Sequence, residues 1–431
     1  MFILPLLFFL LLTAYLWKTH RGLDISVYMS LLYVTTSAMA VWIIMGDMMG
    51  EGGILFKNDN AEFNIVPTLL YCVFIGLCIM PFSMIHVREI KNITIRVPWV
   101  LDALSFMLIA LALLNLYLVA DSTMDILSGD LGSIRAEHYA GAETPAQQKA
   151  ESLPFILRFF YYFTPATILS VPIFFVNICF RHKPWWLNGM LAFASLTAPI
   201  AGIQSADRTE FMYLSQMILF TLILFYHLLT RRTKIALALM GIPIAIAGVV
   251  YVTAVSMSRF EDRSGISSTD RTIQYAGQGY LNFCFFYENA NTDYVSAERE
   301  FPLYHHYIKH KDSNAERRSK RMIQQGFFMS VFATFLGDMI LDIGRLGMMV
   351  WAIFYFLAAM LAIKAPHRTE MDVSELLVIY LLAIVPIFGI FYYRFFAFPN
   401  TFTFGLVLAI YAFTRLTKKK PNEDLCDNSN V

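Results

Sequence analysis

Apolar stretches of about 17 to 25 residues recur along the chain, and each is long enough to cross the roughly 30 Å hydrocarbon core of a membrane as a helix. Of the 431 residues, 57% are hydrophobic and only 15% are charged, against about 25% charged in an average soluble domain. A soluble fold has no interior large enough for so much apolar surface. The sequence predicts an all-α polytopic membrane protein with about eleven transmembrane helices, near residues 2–17, 25–45, 65–86, 98–120, 159–180, 186–205, 210–230, 235–255, 346–363, 373–393 and 396–414.

Basic residues are concentrated in alternate short connections between these stretches. Such connections face the cytoplasm, so the N-terminus is predicted outside and the C-terminus, with the polar tail 418–431, inside. The basic connections contain Lys18 and Arg21; Arg88, Lys91 and Arg96; Arg181 and Lys183; Arg231, Arg232 and Lys234; Lys364 and Arg368; and Arg415 with Lys418 to Lys420.

The chain divides into four parts on this topology, the last of which is the polar tail 418–431. Residues 1–255 hold the first eight helices, 256–325 form one large external loop, and 326–417 hold the last three helices. The stretch from Gly326 to Leu346 is apolar yet carries Asp338, Asp342 and Arg345. Because a charge at the bilayer centre costs at least about 2.5 kcal/mol, we interpret this stretch as a re-entrant or interfacial segment before a helix that starts near Leu346.

Several classes of function are disfavoured by what the sequence lacks. The formal charge is only +1, with 33 Lys and Arg against 32 Asp and Glu, so nucleic acid is not a predicted partner. There is no Asp-x-Asp, Gly-rich phosphate loop or Cys-x-x-Cys pattern, and His305, His306 and His310 are typical of a solvated basic stretch. We therefore predict no metal and no cofactor, and a substrate that arrives already activated, such as a lipid-pyrophosphate sugar.

Polar residues that suit such a substrate collect on the predicted outer side. Arginine binds phosphate through paired hydrogen bonds, and aromatic rings stack on sugar rings. Two other interpretations stay open: the aromatic residues can form a membrane-interface belt, and Arg208 can be half of a surface ion pair with Asp207 or Glu210. The candidate residues are Arg208, Glu210, Arg259, Arg263, Arg271, Tyr275, Tyr280, Asn282, Asp338, Asp342 and Arg394.

Four features of the chain resemble the Wzy-type O-antigen and capsule polymerases, which join oligosaccharide repeat units. They are the stretch 206–210, Ala-Asp-Arg-Thr-Glu; the stretch 271–283, Arg-Thr-Ile-Gln-Tyr-Ala-Gly-Gln-Gly-Tyr-Leu-Asn-Phe; the stretch 335–347, Phe-Leu-Gly-Asp-Met-Ile-Leu-Asp-Ile-Gly-Arg-Leu-Gly; and the basic connections between the helices. The overall layout covers most of the chain. An arginine ten residues before a glycine, discussed for related polymerases, is not found at Arg259, Arg263 or Arg271.

The resemblance implies a metal-independent glycosyltransferase similar to the GT-C membrane class, acting at the outer face of a bacterial cytoplasmic membrane. Its substrates would be undecaprenyl-pyrophosphate-linked glycans, and its partners would include membrane lipids and, as an open question, a chain-length regulator protein. Arg208, Arg259, Arg263 and Arg271 would neutralise the pyrophosphate. Glu210, Asp338 and Asp342 are the candidate bases for the acceptor hydroxyl, and Tyr275, Tyr280, Asn282 and Arg394 complete the predicted substrate-binding set.

Three alternative functions remain on the sequence alone. An O-antigen ligase would share the fold class and the lipid-linked donor. A flippase for the lipid-linked unit belongs to a different class, but such transporters tend to have two related halves, and the two halves of this chain do not resemble each other. A structural or sensory membrane protein is a further possibility.

Overall fold

Long apolar helices dominate the structure, as the hydropathy predicts. The computed structural model is about 81% helical and describes residues 1–49, 54–55, 64–128, 144–204, 207–260, 268–291, 296–298, 301–305, 314–327, 329, 331–363, 369–396 and 398–417. Within these ranges, seven helices are long and apolar enough to cross a membrane, and three shorter apolar helices accompany them. This agrees with an all-α polytopic membrane protein.

The helices of the first half are α1 Leu4–His20, α2 Ile25–Met45, α3 Ile65–Ile79, α4 Pro98–Ser128, α5 Pro145–Glu151, α6 Phe155–Tyr161, α7 Ser170–Val176, α8 Trp185–Ile203, α9 Thr209–Phe225 and α10 Arg231–Phe260. Helix α7 is extended by a 3₁₀ turn at Thr164–Leu169 and by a π turn at Asn177–Arg181. The second half contains α11 Ser268–Asn289, α12 Pro302–Tyr304, α13 Asn314–Gln325, α14 Thr334–Ile363, α15 Val373–Phe388 and α16 Phe398–Leu416.

The connections rich in basic residues meet at one end of the molecule, here called the basic end. Strand β1 (Asn92–Thr94) pairs in parallel with β2 (Glu370–Asp372), so the connections after α3 and α14 lie side by side. Nε2 of His227, which follows α9, lies 2.7 Å from the carbonyl oxygen of Ile90. Arg181 forms an ion pair of 2.8 Å with Asp102 at the start of α4. Among the described residues, these basic connections thus lie together at one end of the structure.

Helix α11 differs from the polar loop predicted for 256–325. Every residue from Gly277 to Cys284 is buried, and the helix packs against α2, α3 and α14. Tyr71 on α3 contacts the rings of both Tyr280 and Phe283, at 5.0 and 5.5 Å. The loop prediction is wrong for this stretch, because its apolar residues pack into the helical core instead of facing water.

Two glycines let α11 fit between its neighbours. A Cβ atom on Gly277 would lie 2.7 Å from the backbone nitrogen of Ala40 on α2, and one on Gly279 would lie 2.8 Å from the carbonyl oxygen of Ile390. Both distances are shorter than a carbon atom tolerates. Positions 277 and 279 are about 200° apart around a helix, so the close approaches occur on opposite faces.

We expect Gly277→Ala to destabilise the protein by about 1 to 3 kcal/mol, because an extra methyl group in a tight contact displaces backbone. Thermal unfolding of the purified protein in detergent measures this effect. Gly241→Ala is the matched control, since nothing lies within 4 Å of a Cβ atom there and alanine favours a helix by up to about 1 kcal/mol. Equal melting temperatures for Gly277→Ala and the wild type would contradict the packing described for α11.

Helix α14 is broken at Gly344, whose φ of 76° and ψ of 174° are not helical. The section before the break is enclosed by protein, and Asp338 and Asp342 within it are 4% and 0% exposed. Neither carboxylate faces lipid, which accounts for two acidic residues in an otherwise apolar stretch. Regular helix resumes at Arg345, next to the predicted start at Leu346.

Candidate functional site

A cavity of about 210 Å³ opens among the helices at the end of the molecule opposite the basic end, here called the cavity end. Its walls come from α4, α6, α8, α9, α15 and α16, from the 3₁₀ turn before α7, and from the connections before α9 and between α15 and α16. The lining residues include two of the sequence-predicted candidates, Glu210 and Arg394. The others are Asn115, Tyr161, Thr164, Pro165, Ile168, Ala198, Ala201, Gly202, Asp207, Tyr213, Leu381, Ile384, Phe395, Asn400 and Thr403.

Glu210 and Arg394 form an ion pair in the wall of this cavity. Nη2 of Arg394 donates to both carboxylate oxygens of Glu210, at 2.6 and 2.8 Å. The two residues are 184 positions apart in the sequence. The side chain of Arg394 is 14% exposed and that of Glu210 is 19% exposed, so the pair is largely shielded from solvent but accessible from the cavity.

Arg394 is held in place from several directions. The Asn400 side-chain amide donates to the Arg394 carbonyl oxygen at 2.8 Å, and the neighbouring Tyr393 amide donates to Oδ2 of Asp338 at 2.7 Å. Nη1 of Arg394 donates to the Tyr392 hydroxyl oxygen at 3.2 Å. The guanidinium also lies 4.6 Å from the centre of the Tyr213 ring. The position of the cation is therefore set by backbone, side-chain and ring contacts together.

The charge on Arg394 is stabilised by its surroundings. Burial alone lowers the pKa of its guanidinium, but the adjacent Glu210 carboxylate reverses this effect and holds the pKa above its ordinary value. Burial raises the pKa of the Tyr392 phenol, so Tyr392 is a neutral neighbour. The cavity wall thus presents a permanent cation to any ligand that enters.

Arg208 lies close to this pair, at the start of α9. Its side chain is buried, with 5% of the residue exposed, and its guanidinium lies 3.9 Å from the centre of the Tyr275 ring on α11. Tyr275 in turn contacts Phe332 edge to face at 4.6 Å, and Phe332 stacks on Tyr392 at 6.0 Å. A chain of rings therefore connects Arg208 with Arg394.

Arg271 joins the same end of the molecule from α11. It lies one helical turn before Tyr275, so the two residues share a face of the helix. Its side chain is also buried, with the residue 9% exposed. The structure thus gathers Arg208, Arg271 and Arg394, three of the predicted arginines, at the cavity end.

The remaining predicted arginines cannot be assigned a place in this cluster. Arg259 lies in the last turn of α10, where the structure describes the backbone alone, and Arg263 lies outside the described residues. Their proposed contact with pyrophosphate stays a prediction.

Asp338 and Asp342 organise the chain near the cavity and do not line it. Asp338 holds the Tyr393 amide, as described above, and so supports the connection that carries Arg394. Asp342 accepts from the Ser296 hydroxyl at 2.9 Å and from Nη2 of Arg321 at 3.0 Å. Its carbonyl oxygen accepts from the amides of Ser296 and Ala297. These bonds indicate positioning roles for the two residues that we predicted as bases.

Tyr280 and Asn282 were predicted to bind substrate, but their side chains are buried in the structure. Contact with substrate requires an accessible side chain. Tyr280 is 2% exposed, and its hydroxyl shares a 2.8 Å hydrogen bond with that of Thr68. Asn282 is fully buried. Its side chain accepts from the Leu55 amide and donates to the Phe332 carbonyl oxygen, both at 2.9 Å. Both residues hold α11 against neighbouring segments.

Sequence reasoning missed the residues that hold Arg394, above all Tyr392 and Asn400. The signal was present in the run 391–396, Phe-Tyr-Tyr-Arg-Phe-Phe, which places a single arginine among aromatic residues between two apolar helices. It also missed an aromatic contact next to the lining residues Tyr161 and Thr403, where Tyr162 stacks on Phe402 at 5.9 Å. The nearby helix α6 has no buried residue although it is almost entirely apolar.

No protein-family model, no curated protein and no solved structure matches this chain.

Proposed function

We propose that this protein is a membrane glycosyltransferase of the repeat-unit polymerase type, which joins lipid-pyrophosphate-linked oligosaccharides into O-antigen or capsular polysaccharide. The observation that carries the proposal is the ion pair of Arg394 and Glu210 in one cavity, with Arg208 beside it. A reaction that expels pyrophosphate needs cations for the departing charge and a carboxylate for a proton. The cavity contains both kinds of group.

The membrane arrangement follows from the same proposal. The seven long apolar helices, the three shorter ones and α16 together supply eleven spans, in a layout similar to the GT-C class. The basic end faces the cytoplasm and the cavity end faces the periplasm of a bacterial inner membrane. A lipid-linked substrate enters the cavity from the outer leaflet, along the exposed apolar surface of α6.

The growing chain is the donor in the proposed reaction. A hydroxyl oxygen of the incoming unit forms a bond to the anomeric carbon, and the bond from that carbon to the pyrophosphate oxygen breaks. The hydroxyl proton passes to the Glu210 carboxylate, and the electron pair of the broken bond leaves with lipid pyrophosphate. Arg394 and Arg208 stabilise the charge that develops on the leaving group, a task that metal ions perform in other enzymes.

Deletion of the gene tests this assignment. We expect the ladder of surface glycan on a gel to collapse to a single repeat unit, because units still reach the surface but are no longer joined. Expression of the wild-type chain from a plasmid should restore the ladder. Complete loss of surface glycan would favour an O-antigen ligase instead, and an unchanged ladder would contradict any role in glycan assembly.

A further inference from the structure

The two partners of the cavity ion pair are held very differently. Arg394 is restrained by Asn400, by the Asp338 contact to its neighbour, and by Tyr392 and Tyr213. The Glu210 carboxylate, in contrast, directs both oxygens at a single nitrogen of Arg394 and makes no other hydrogen bond within the described part of the chain. Several contacts therefore restrain the cation, whereas Arg394 is the one hydrogen-bonding partner of the carboxylate among the described residues.

We propose that Glu210 occupies an anion-binding site on Arg394 and gives it up to the pyrophosphate of the substrate, an inference that rests on the proposed function. Both carboxylate and phosphate oxygens accept hydrogen bonds from a guanidinium. A pyrophosphate offers more acceptor oxygens and more negative charge than one carboxylate. It also gains the attraction of Arg208, which is buried nearby.

The exchange also changes what Glu210 is able to do. While it is paired, both of its oxygens accept hydrogen bonds from Arg394. Once pyrophosphate takes its place, like charges drive the carboxylate off, and rotation about its side-chain bonds brings it into the cavity. No proton moves in this step. Glu210 becomes available as a base only when the donor is bound.

This mechanism predicts opposite effects of one substitution on binding and on turnover. Glu210→Gln removes the competing charge that pairs with Arg394, so inorganic pyrophosphate should bind at least about tenfold more tightly. Turnover should fall, because an amide is not a base. A purely structural ion pair predicts the reverse for binding, since Arg394 would lose the partner that orients it.

The experiment is equilibrium dialysis of ³²P-labelled inorganic pyrophosphate against the full-length protein purified in detergent. The variants are Glu210→Gln, Glu210→Asp, Arg394→Gln and the Glu210→Gln/Arg394→Gln double variant, each checked for a monodisperse profile on size exclusion. Asp102→Asn is the matched control, because Asp102 pairs with Arg181 at the basic end, remote from the cavity. Asp102→Asn removes one negative charge from the protein, as Glu210→Gln does.

We expect the single variant Glu210→Gln to bind pyrophosphate more tightly than the wild type does. The affinity of Glu210→Asp should lie between those of the wild type and Glu210→Gln, and the double variant should show no gain over the wild type. Unchanged or weaker binding by monodisperse Glu210→Gln would overturn the proposal. A gain that persists in the double variant, or that Asp102→Asn reproduces, would also overturn it, because the effect would then not arise at Arg394.

A competition arm identifies the source of the pyrophosphate. Farnesyl pyrophosphate should displace the labelled ligand at lower concentration than unlabelled inorganic pyrophosphate, since its apolar chain adds contacts along α6. Equal or weaker displacement would overturn the assignment to a lipid-linked ligand. None of these measurements involves a sugar. If the deletion strain keeps its glycan ladder while pyrophosphate binding behaves as expected, the exchange at Arg394 stands and the glycan assignment falls.

Discussion

Arg394→Ala is expected to lower polymerisation by a factor on the order of 100 to 1,000, the usual cost of removing a preorganised group that stabilises developing charge. The substitution also leaves Glu210 without its partner in the cavity wall. Cells that contain only this variant should show surface glycan of a single repeat unit. The measurement is the length distribution of glycan on a gel, normalised to protein abundance by immunoblot.

Arg394→Lys separates charge from geometry in the same assay. A lysine keeps the positive charge but cannot donate at once to Glu210 and Tyr392 in the planar arrangement of the guanidinium. We expect a partial loss, between those of the wild type and Arg394→Ala. Arg232→Ala is the control, because Arg232 is an exposed arginine at the start of α10, in a basic connection and outside the cavity wall. A normal ladder from Arg394→Ala at normal abundance would remove Arg394 from the site.

Arg208→Ala is expected to reduce turnover by about 100-fold or more if Arg208 helps to bind the leaving pyrophosphate. Were Arg208 only half of a surface ion pair, its loss would cost less than about 1 kcal/mol. The structure bears on this choice, since Arg208 is buried against Tyr275 and Glu210 is paired with Arg394. Complemented deletion cells, assayed for glycan length at equal protein level, provide the measurement.

Substitutions of Tyr275 test how the orientation of Arg208 contributes. Tyr275→Phe keeps a ring beneath the guanidinium and should retain nearly all activity. Tyr275→Leu removes a cation–π contact of about 0.5 to 2 kcal/mol, which corresponds to roughly a 2- to 30-fold loss. Arg208→Lys should lose activity as well, because an ammonium group cannot stack as a planar cation does. A full-length ladder from Arg208→Ala would contradict a functional role and shift attention to Arg271.

The sequence pointed to some residues of the candidate site but not to the contacts between them. Arg208 and Glu210 were identifiable because charged residues at the head of an apolar helix are unusual, and Arg394 because it interrupts an apolar stretch. That Glu210 bonds to Arg394 and not to Arg208 required the fold, since α9 and the connection after α15 are far apart in the sequence. Asp338 and Asp342 were predicted as bases but hold backbone and side-chain groups in place. In the sequence, a carboxylate in an apolar stretch looks the same whether it is catalytic or structural.

The sequence by itself determined the all-helical membrane character of the protein and the grouping of the described basic connections at one end. Both properties depend on transfer between water and hydrocarbon, which adds up residue by residue along the chain. Only the tertiary structure showed that α11 is buried, because its polar and aromatic residues are also compatible with an exposed loop. The helix fits between its neighbours because Gly277 and Gly279 have no side chain at the close contacts. The tertiary structure alone also decided which arginine meets which carboxylate, because such contacts depend on packing between distant segments and leave no local pattern in the sequence.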